Sequence, residues 1–441
     1  MSFRGLKAVL LACGGFGVLL AGVADANAGG FALREQSAYG QGSSYAGVAA
    51  GGDLSSMFWN PATMTQVPGI QTEFVATGIF PYASNTPGAG SMLAAFGGTN
   101  NTIDNALVPA GYASWQLNPN MWLGLSLNSP FGLSVSFPDL WAGRDYAAND
   151  SSIKTYNATP SFAYRINDWI SVGVGVQIQY GDASVSRAIT PAFSEFNLSG
   201  DGWGYGFTAG VTVTPTPTTT IGLGYRSAIN QKINGTMTLS APLPGSTPGS
   251  VSTTLDLPDV VSLGLRQRVD PQWTLLGTVE WTNWSRIGTS TVVQGNGAPA
   301  TVLSGFGGGN VTLPFQYEDG WFFSVGAEYQ WTDRLAVRGG VAYEKSPITD
   351  DVRIPLIPDN DRTWVSVGST YKISKDLSFD LAYSHAFVKS TTINVVAGNP
   401  SWDGFVNYAG TVSSHFDILS VALKYRFDEP PPPPSSSLYH K

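Results

Sequence analysis

ISVGVGVQIQY, residues 170–180, sets Ile170, Val172, Val174, Val176, Ile178 and Tyr180 against Ser171, Gly173, Gly175, Gln177 and Gln179. Alternation at period two marks a strand with two unlike faces, because successive Cβ atoms leave a sheet on opposite sides. The pattern recurs along the chain. Tyr205, Phe207, Ala209, Val211 and Val213 alternate with Gly206, Thr208, Gly210 and Thr212. Leu335, Val337, Val341 and Tyr343 face away from Ala336, Arg338, Ala342 and Glu344, and Leu419, Val421, Leu423, Tyr425 and Phe427 away from Ser420, Ala422, Lys424 and Arg426. One face suits lipid, the other is small or polar, and aromatics collect at the ends. A soluble sandwich also alternates, but this repetition with aromatic girdles points to a membrane barrel.

Composition agrees. Charged residues make up 12% of the 441, against about 25% in soluble domains, and 52 are Gly. No run of about 20 apolar residues offers a helical span. The net charge of −8 without basic runs argues against nucleic acid as a partner.

Fourteen staves are expected, at 70–82, 106–117, 120–129, 152–166, 168–181, 201–214, 218–231, 256–269, 272–287, 315–331, 334–345, 361–373, 376–390 and 412–427. Short turns at Asn118-Pro119, Asn167-Asp168, 215–218, Asp270-Pro271, Thr332-Asp333 and Ser374-Lys375 alternate with seven long loops rich in Gly, Asn, Ser and Pro. Outer-membrane barrels show this asymmetry, with short turns in the periplasm and long loops outside. An even count places both termini in the periplasm.

Residues 29–69 do not alternate. Asp53 can cap a turn over the following residues, and Asn60-Pro61 is a helix start, with Asn as the cap and Pro at the first helical position. A small, partly helical segment before a large all-β body suggests a plug in the lumen. Arg4 and Lys7, an apolar stretch and Ala26-Asn27-Ala28 read as a signal peptide over 1–28. A lipoprotein site at Cys13 would leave too short an apolar region. Removal of 1–28 takes the single cysteine, so no disulfide or thiolate site is expected. The Pro/Ser-rich 428–441 reads as an extended periplasmic tail.

GGFAL (29–33), FWNPATM (58–64), SPFGL (129–133), LWAGRD (140–145), LPDVVSLGLRQRV (257–269), WTLLGTVEWTNWSRI (273–287) and YEKSPITDDVRIPLIPDNDRTW (343–364) together resemble the FadL/TodX channels of bacterial outer membranes. These carry long-chain fatty acids or aromatic hydrocarbons. The resemblance covers the whole chain behind the leader. It implies a fourteen-stranded antiparallel transmembrane β-barrel with 29–69 as a luminal hatch, and Asn60, Pro61 and Ala62 as the hatch motif. It further implies that this motif lies beside a kinked third stave (here 120–129, followed by Pro130 and Gly132) that opens the wall sideways. Which residue kinks stays open.

A hydrophobic solute gains nothing from a water-filled pore and needs an apolar path. Phe131, Leu133, Val135, Phe137, Leu140 and Trp141 are candidates for a surface capture patch, the alternative being loop packing. Arg226, Arg187 and Arg362 lie on the inward parity and are candidates to hold a carboxylate. Against that, inward charges are ordinary lumen lining, and Arg362 stands among Asp350, Asp351, Asp359 and Asp361, with which it can pair. No cofactor or metal is expected: the three histidines show no ligand spacing, and no phosphate-binding Gly-Lys motif is present. Ser413 and His415 share a face on the last stave, too little for a hydrolase without a third orienting group. The expected function is passive uptake of a hydrophobic molecule by a monomer in contact with outer-membrane lipid. Fatty acid leads and monoaromatic hydrocarbon is the alternative.

Overall fold

The computed structural model describes residues 30–189, 194–302 and 310–427. The expected leader and tail lie outside the described residues. Fourteen staves form the wall: β1 Ile70–Pro87, β2 Ala106–Asn118, β3 Met121–Asn128 resuming at Gly132–Phe137, β4 Asn149–Arg165, β5 Ile170–Ile189, β6 Ser194–Thr216 and β7 Thr219–Arg226 resuming at Ile229–Leu239. They continue with β8 Gly249–Leu257 resuming at Val260–Arg268, β9 Trp273–Thr282, β10 Gly320–Gln330, β11 Leu335–Lys345, β12 Arg362–Lys372, β13 Leu377–Val388 and β14 Tyr408–Arg426.

Each stave pairs antiparallel with the next, and β14 pairs back on β1 from Gln71↔Arg426 to Pro87↔Gly410. The ladder closes, so no edge is left to unpaired backbone, as lipid requires. Val174, Val176, Tyr205, Phe207, Val325 and Val367 are exposed on the outer face, while Gly173, Gly222 and Gly224 on the alternate positions are buried. The short turns share one rim with the start of β1 and the end of β14.

Several staves depart from the period-two bounds. β6 begins at Ser194, not 201, because its hairpin with β5 continues past the lipid-facing band. β9 ends at Thr282, since Trp284–Ile287 turns inward as a 3-10 helix with Trp284 buried. β3, β7 and β8 are interrupted, at 129–131, 227–228 and 258–259. Proline supplies part of the reason: Pro130 and Pro258 have no N–H for a ladder.

Candidate functional site: hatch, wall break and cavities

Residues 30–69 fill the lumen with short helical turns. Ser37 caps α1, Ala38–Gln41, by accepting from the Gly40 N–H. Asp53 accepts from Ser55 N–H ahead of Leu54–Phe58, and Asn60 from Ala62 N–H ahead of Pro61–Gln66. Both caps follow from local chemistry, but the turns are 3-10, too short for a helix. Gly51 and Gly52, at φ +101° and +104°, let the chain turn back between them.

The wall's small residues let the hatch backbone come close. A Cβ at Gly222 would stand 1.8 Å from the Ala49 oxygen, one at Gly224 1.9 Å from the Trp59 oxygen, and one at Gly173 2.5 Å from Ala62 N. Gly340 likewise faces Ser43, and Gly124 faces Met64. The alternation of glycine on the inner face is therefore a steric cast of the hatch. Asn60 is fully buried, and its Nδ2 donates to Ala49 O at 2.7 Å and Val211 O at 3.0 Å. Pro61 and Ala62 lie against Gly173 of β5. Asn60 thus sits on β5–β7, and the hatch touches the lower part of β3 instead through Met64.

Charges tie the hatch down. Lys424 on β14 pairs with Asp53 and, at 2.7 Å, with Asp380. Ser55 N–H donates to Glu73 on β1 at 2.9 Å, and the Tyr39 hydroxyl to Glu328 at 2.8 Å.

The third stave is the weak line of the wall. β2 and β3 pair only between Gly111↔Leu127 and Asn118↔Met121; above that, the isolated bridge Ile103–Val135 ties the segment ahead of β2 to the resumed part of β3. β3 stays tied to β4 through Thr155, whose side chain accepts from Phe131 N–H at 2.9 Å. Two hatch elements cover the break. The first is an arm, 31–33, that adds as a short strand: Leu33 N–H donates to Pro130 O at 2.8 Å and Gly132 N–H to Phe31 O at 2.9 Å. The second is Gln36, fully buried, whose Nε2 donates to Ser129 O at 2.8 Å while its Oε1 accepts from Asn128 at 3.1 Å and Ser129 N–H at 3.4 Å. Its amide takes the place of the missing peptide group, and buried backbone groups need that partner.

Two cavities meet at the arm. The upper one, about 1060 Å³ including its mouth, is bounded by the long-loop side of the wall and lined mainly by apolar residues, among them Leu133, Leu198, Ile233, Leu255 and Leu356. Phe31 closes its floor, packed edge-on to Trp284 at 4.9 Å and near Phe131 and Phe315. Below the arm a second space of about 670 Å³, including its mouth, is lined by Leu33, Phe58, Pro130, Ser227 and Pro258, at the level where β3, β7 and β8 break.

The three arginines fall in different places. Arg187 lines the upper cavity, and its Nε has no hydrogen-bond partner among the described residues. Arg226 lines the lower one, donating to Phe58 O at 3.1 Å and to Gln177, with its guanidinium 4.2 Å over the Phe58 ring. Neither forms an ion pair with a described residue. Arg362 is paired, to Asp359 and to Glu344 at 3.8 Å, while Asp350 pairs with Arg353.

The capture patch needs correction. Phe131, Leu133, Val135, Phe137 and Trp141 are all at most 8% exposed; Leu140 alone is open, at 59%. The loop folds over the mouth instead, with Phe137 stacked on Trp141 at 5.0 Å, and Trp141 against Tyr408 and donating to Ala147 O at 2.7 Å. Phe131 and Leu133 line the cavities from inside. Exposed apolar side chains at this end are Met92, Phe96 and Leu140, on two loops joined by Ala142 N–H donating to Gly97 O at 3.0 Å. His415 stacks on Tyr82 at 5.2 Å, and His385, not His415, meets Asp417. Gln36, and which wall glycine meets which hatch residue, carried no signal in the sequence; the glycines did, as a small inner face.

The model of the family described as outer membrane protein transport protein (OMPP1/FadL/TodX) matches residues 18–427. The long-chain fatty acid transport protein of Escherichia coli (strain K12) is 27% identical over 412 residues, covering 83% of this chain and 89% of its own. Outer membrane protein P1 of Haemophilus influenzae (strain ATCC 51907 / DSM 11121 / KW20 / Rd) is 27% identical over 427 residues, 86% and 88% of the two chains. The crystal structure of a Pseudomonas aeruginosa FadL homologue aligns with a TM-score of 0.81 at 25% identity, covering 90% of this chain and all of that one. The Pseudomonas putida toluene transporter TodX shares the fold, with a TM-score of 0.67 at 17% identity over 91% of this chain and all of that one. With a closed fourteen-stave barrel filled by its own N-terminal segment, and a family match spanning nearly the whole chain, the protein belongs to the OMPP1/FadL/TodX family of outer-membrane transport proteins.

Proposed function

We propose that the protein takes up long-chain fatty acids passively. Cargo enters the upper cavity from the long-loop side, passes the Phe31 arm, and leaves sideways between β2 and β3 when the hatch withdraws Gln36. The observation that carries the reading is an apolar path that meets two guanidiniums, Arg187 and Arg226, neither ion-paired to a described residue. A hydrocarbon would need the apolar walls but not the cations. Arg226 is buried, and a cation buried without an ion-pair partner is costly, a cost that a ligand carboxylate removes. The names of the curated relatives point the same way. Lateral exit follows from the same physics: an acyl chain crossing into lipid never meets water. In this reading residues 29–69 act as the hatch, and the long loops are extracellular with the termini periplasmic.

The test compares oleate and toluene. Arg226→Ala and Arg187→Ala should each weaken oleate binding by about 1.5–3 kcal/mol, the range for hydrogen bonds to charged groups. Toluene binding should hardly change. Equal loss for both ligands, or no loss of oleate affinity in either variant, rejects the fatty-acid reading.

A further inference from the structure

Arg34, ion-paired to Glu280 at 2.6 Å and Glu344 at 3.5 Å, and Gln36, seated in the wall break, enclose a carboxyl that the transport path does not use. Glu35 is fully buried, and neither of its carboxyl oxygens has a hydrogen-bond partner among the described residues. The hydroxyl of nearby Tyr45 is equally buried and also without one. An ionised carboxylate with no donor beyond its own backbone N–H in such a place is far costlier than the neutral acid.

The titratable groups that act on it are Arg34 and Tyr45 of the hatch, Glu344 of β11 and Arg362 of β12; Glu280 of β9 and Asp359 of the loop before β12 are further partners of the two arginines. Two guanidiniums serve three carboxylates there. Arg34 holds Glu280 and Glu344, and Arg362 holds Asp359 and Glu344. Those three acids have further donors as well: Ser262 to Glu280, Trp364 Nε1 to Glu344 at 3.1 Å, and Gly30 N–H to Asp359 at 2.9 Å. None of these donors reaches Glu35, and its ionisation would add a fourth negative charge to the three already there.

We propose that the hatch seats with Glu35 protonated and that unseating releases this proton to water, so that hatch opening is proton-linked. The O–H bond breaks, the electron pair stays on the carboxylate, and nothing is oxidised or reduced. Burial is the chief cause that raises the seated carboxyl from 4.5 to about 7; Glu344 adds to it, while its own backbone N–H, Arg34 and Arg362 oppose. A group whose pKa is raised in the seated state favours that state fully below its exposed value. The advantage fades as pH climbs from 4.5 to about 7, then levels off. That interval corresponds to easier opening by at most about 300-fold. The proposal rests on residues 29–69 acting as a hatch, not on the identity of the cargo.

The experiment follows amide hydrogen exchange of residues 30–69 in the full reconstituted protein from pH 4.5 to 8. Intrinsic rates are divided out and barrel amides serve as the reference. Uptake is avoided as a readout because a fatty acid titrates in the same range. The unaltered protein should exchange faster as pH rises to about 7, and Glu35→Gln, which stays neutral, should be flat. Infrared spectroscopy should show a carboxylic-acid C=O band that fades with a midpoint near 7 and is missing in Glu35→Gln. That titration in the unaltered protein keeps the proposal testable if the variant does not assemble. Equal pH dependence in the two proteins overturns the link, as does a spectrum with no acid band titrating near 7. Hatch amides as protected as the wall at every pH, with the band still titrating, would instead reject the hatch reading.

Discussion

Replacing Gly222 by alanine adds one methyl group at the closest point between wall and hatch. The new Cβ would lie 1.8 Å from the Ala49 carbonyl oxygen, 2.5 Å from its carbon and 2.7 Å from Ala50 Cα. All three are backbone atoms, so no side chain can swing aside. Restoring even 3.0 Å, below which Cβ contacts essentially do not occur, moves the hatch by about 1.2 Å, the difference between the two distances. Such a shift also strains the Asn60 hydrogen bonds to Ala49 and Val211. Overpacking of this kind costs about 1–3 kcal/mol, which corresponds to about 5–150-fold more unseated hatch. The wall itself should be indifferent, because the ladder through Gly222 is unchanged and alanine suits a strand no less than glycine. Hydrogen exchange should then accelerate in residues 30–69 and not in the staves, and ion conductance in a planar bilayer should rise. Gly277→Ala is the matched control, since the nearest atom to its added Cβ is 3.9 Å away. If Gly222→Ala leaves hatch exchange and conductance where Gly277→Ala leaves them, the hatch does not bear on the wall as described.

Gln36→Ala should leave Ser129 N–H and C=O unpartnered at the break, at a cost of about 1–3 kcal/mol; faster exchange confined to residues near 128–132 would show it, and no change there would remove Gln36 from the seal. Cysteines at the exposed Gly245 and Asn296, on long loops, should label on intact cells, whereas cysteines at Asp270 and Asp333, on short turns, should not. Labelling of the second pair in unbroken cells reverses the orientation.

Much of the wall was legible in the chain because barrel pairing is a neighbour relation. Each stave, such as 170–180, shows its lipid face by its own alternation, and the short turns give the order. The caps at Asp53 and Asn60 were readable for the same reason, since a cap acts within three residues of itself. Contacts that cross the lumen were not. Arg362 and Arg226 have the same inward parity, yet one finds Asp359 three residues away and the other finds the Phe58 carbonyl across 168 residues of chain. Phe137 and Trp141 look like an exposed loop cluster in sequence, and only the folding of their loop onto Tyr408 buries them. Gln36 and Ser129 lie 93 residues apart, and neither advertises the other. The period of the side chains and the reach of a turn are local physics, so the sequence determined the barrel. The seal, the cavities and the buried carboxyl at Glu35 exist only where distant segments exclude water together, and the tertiary structure alone decided those.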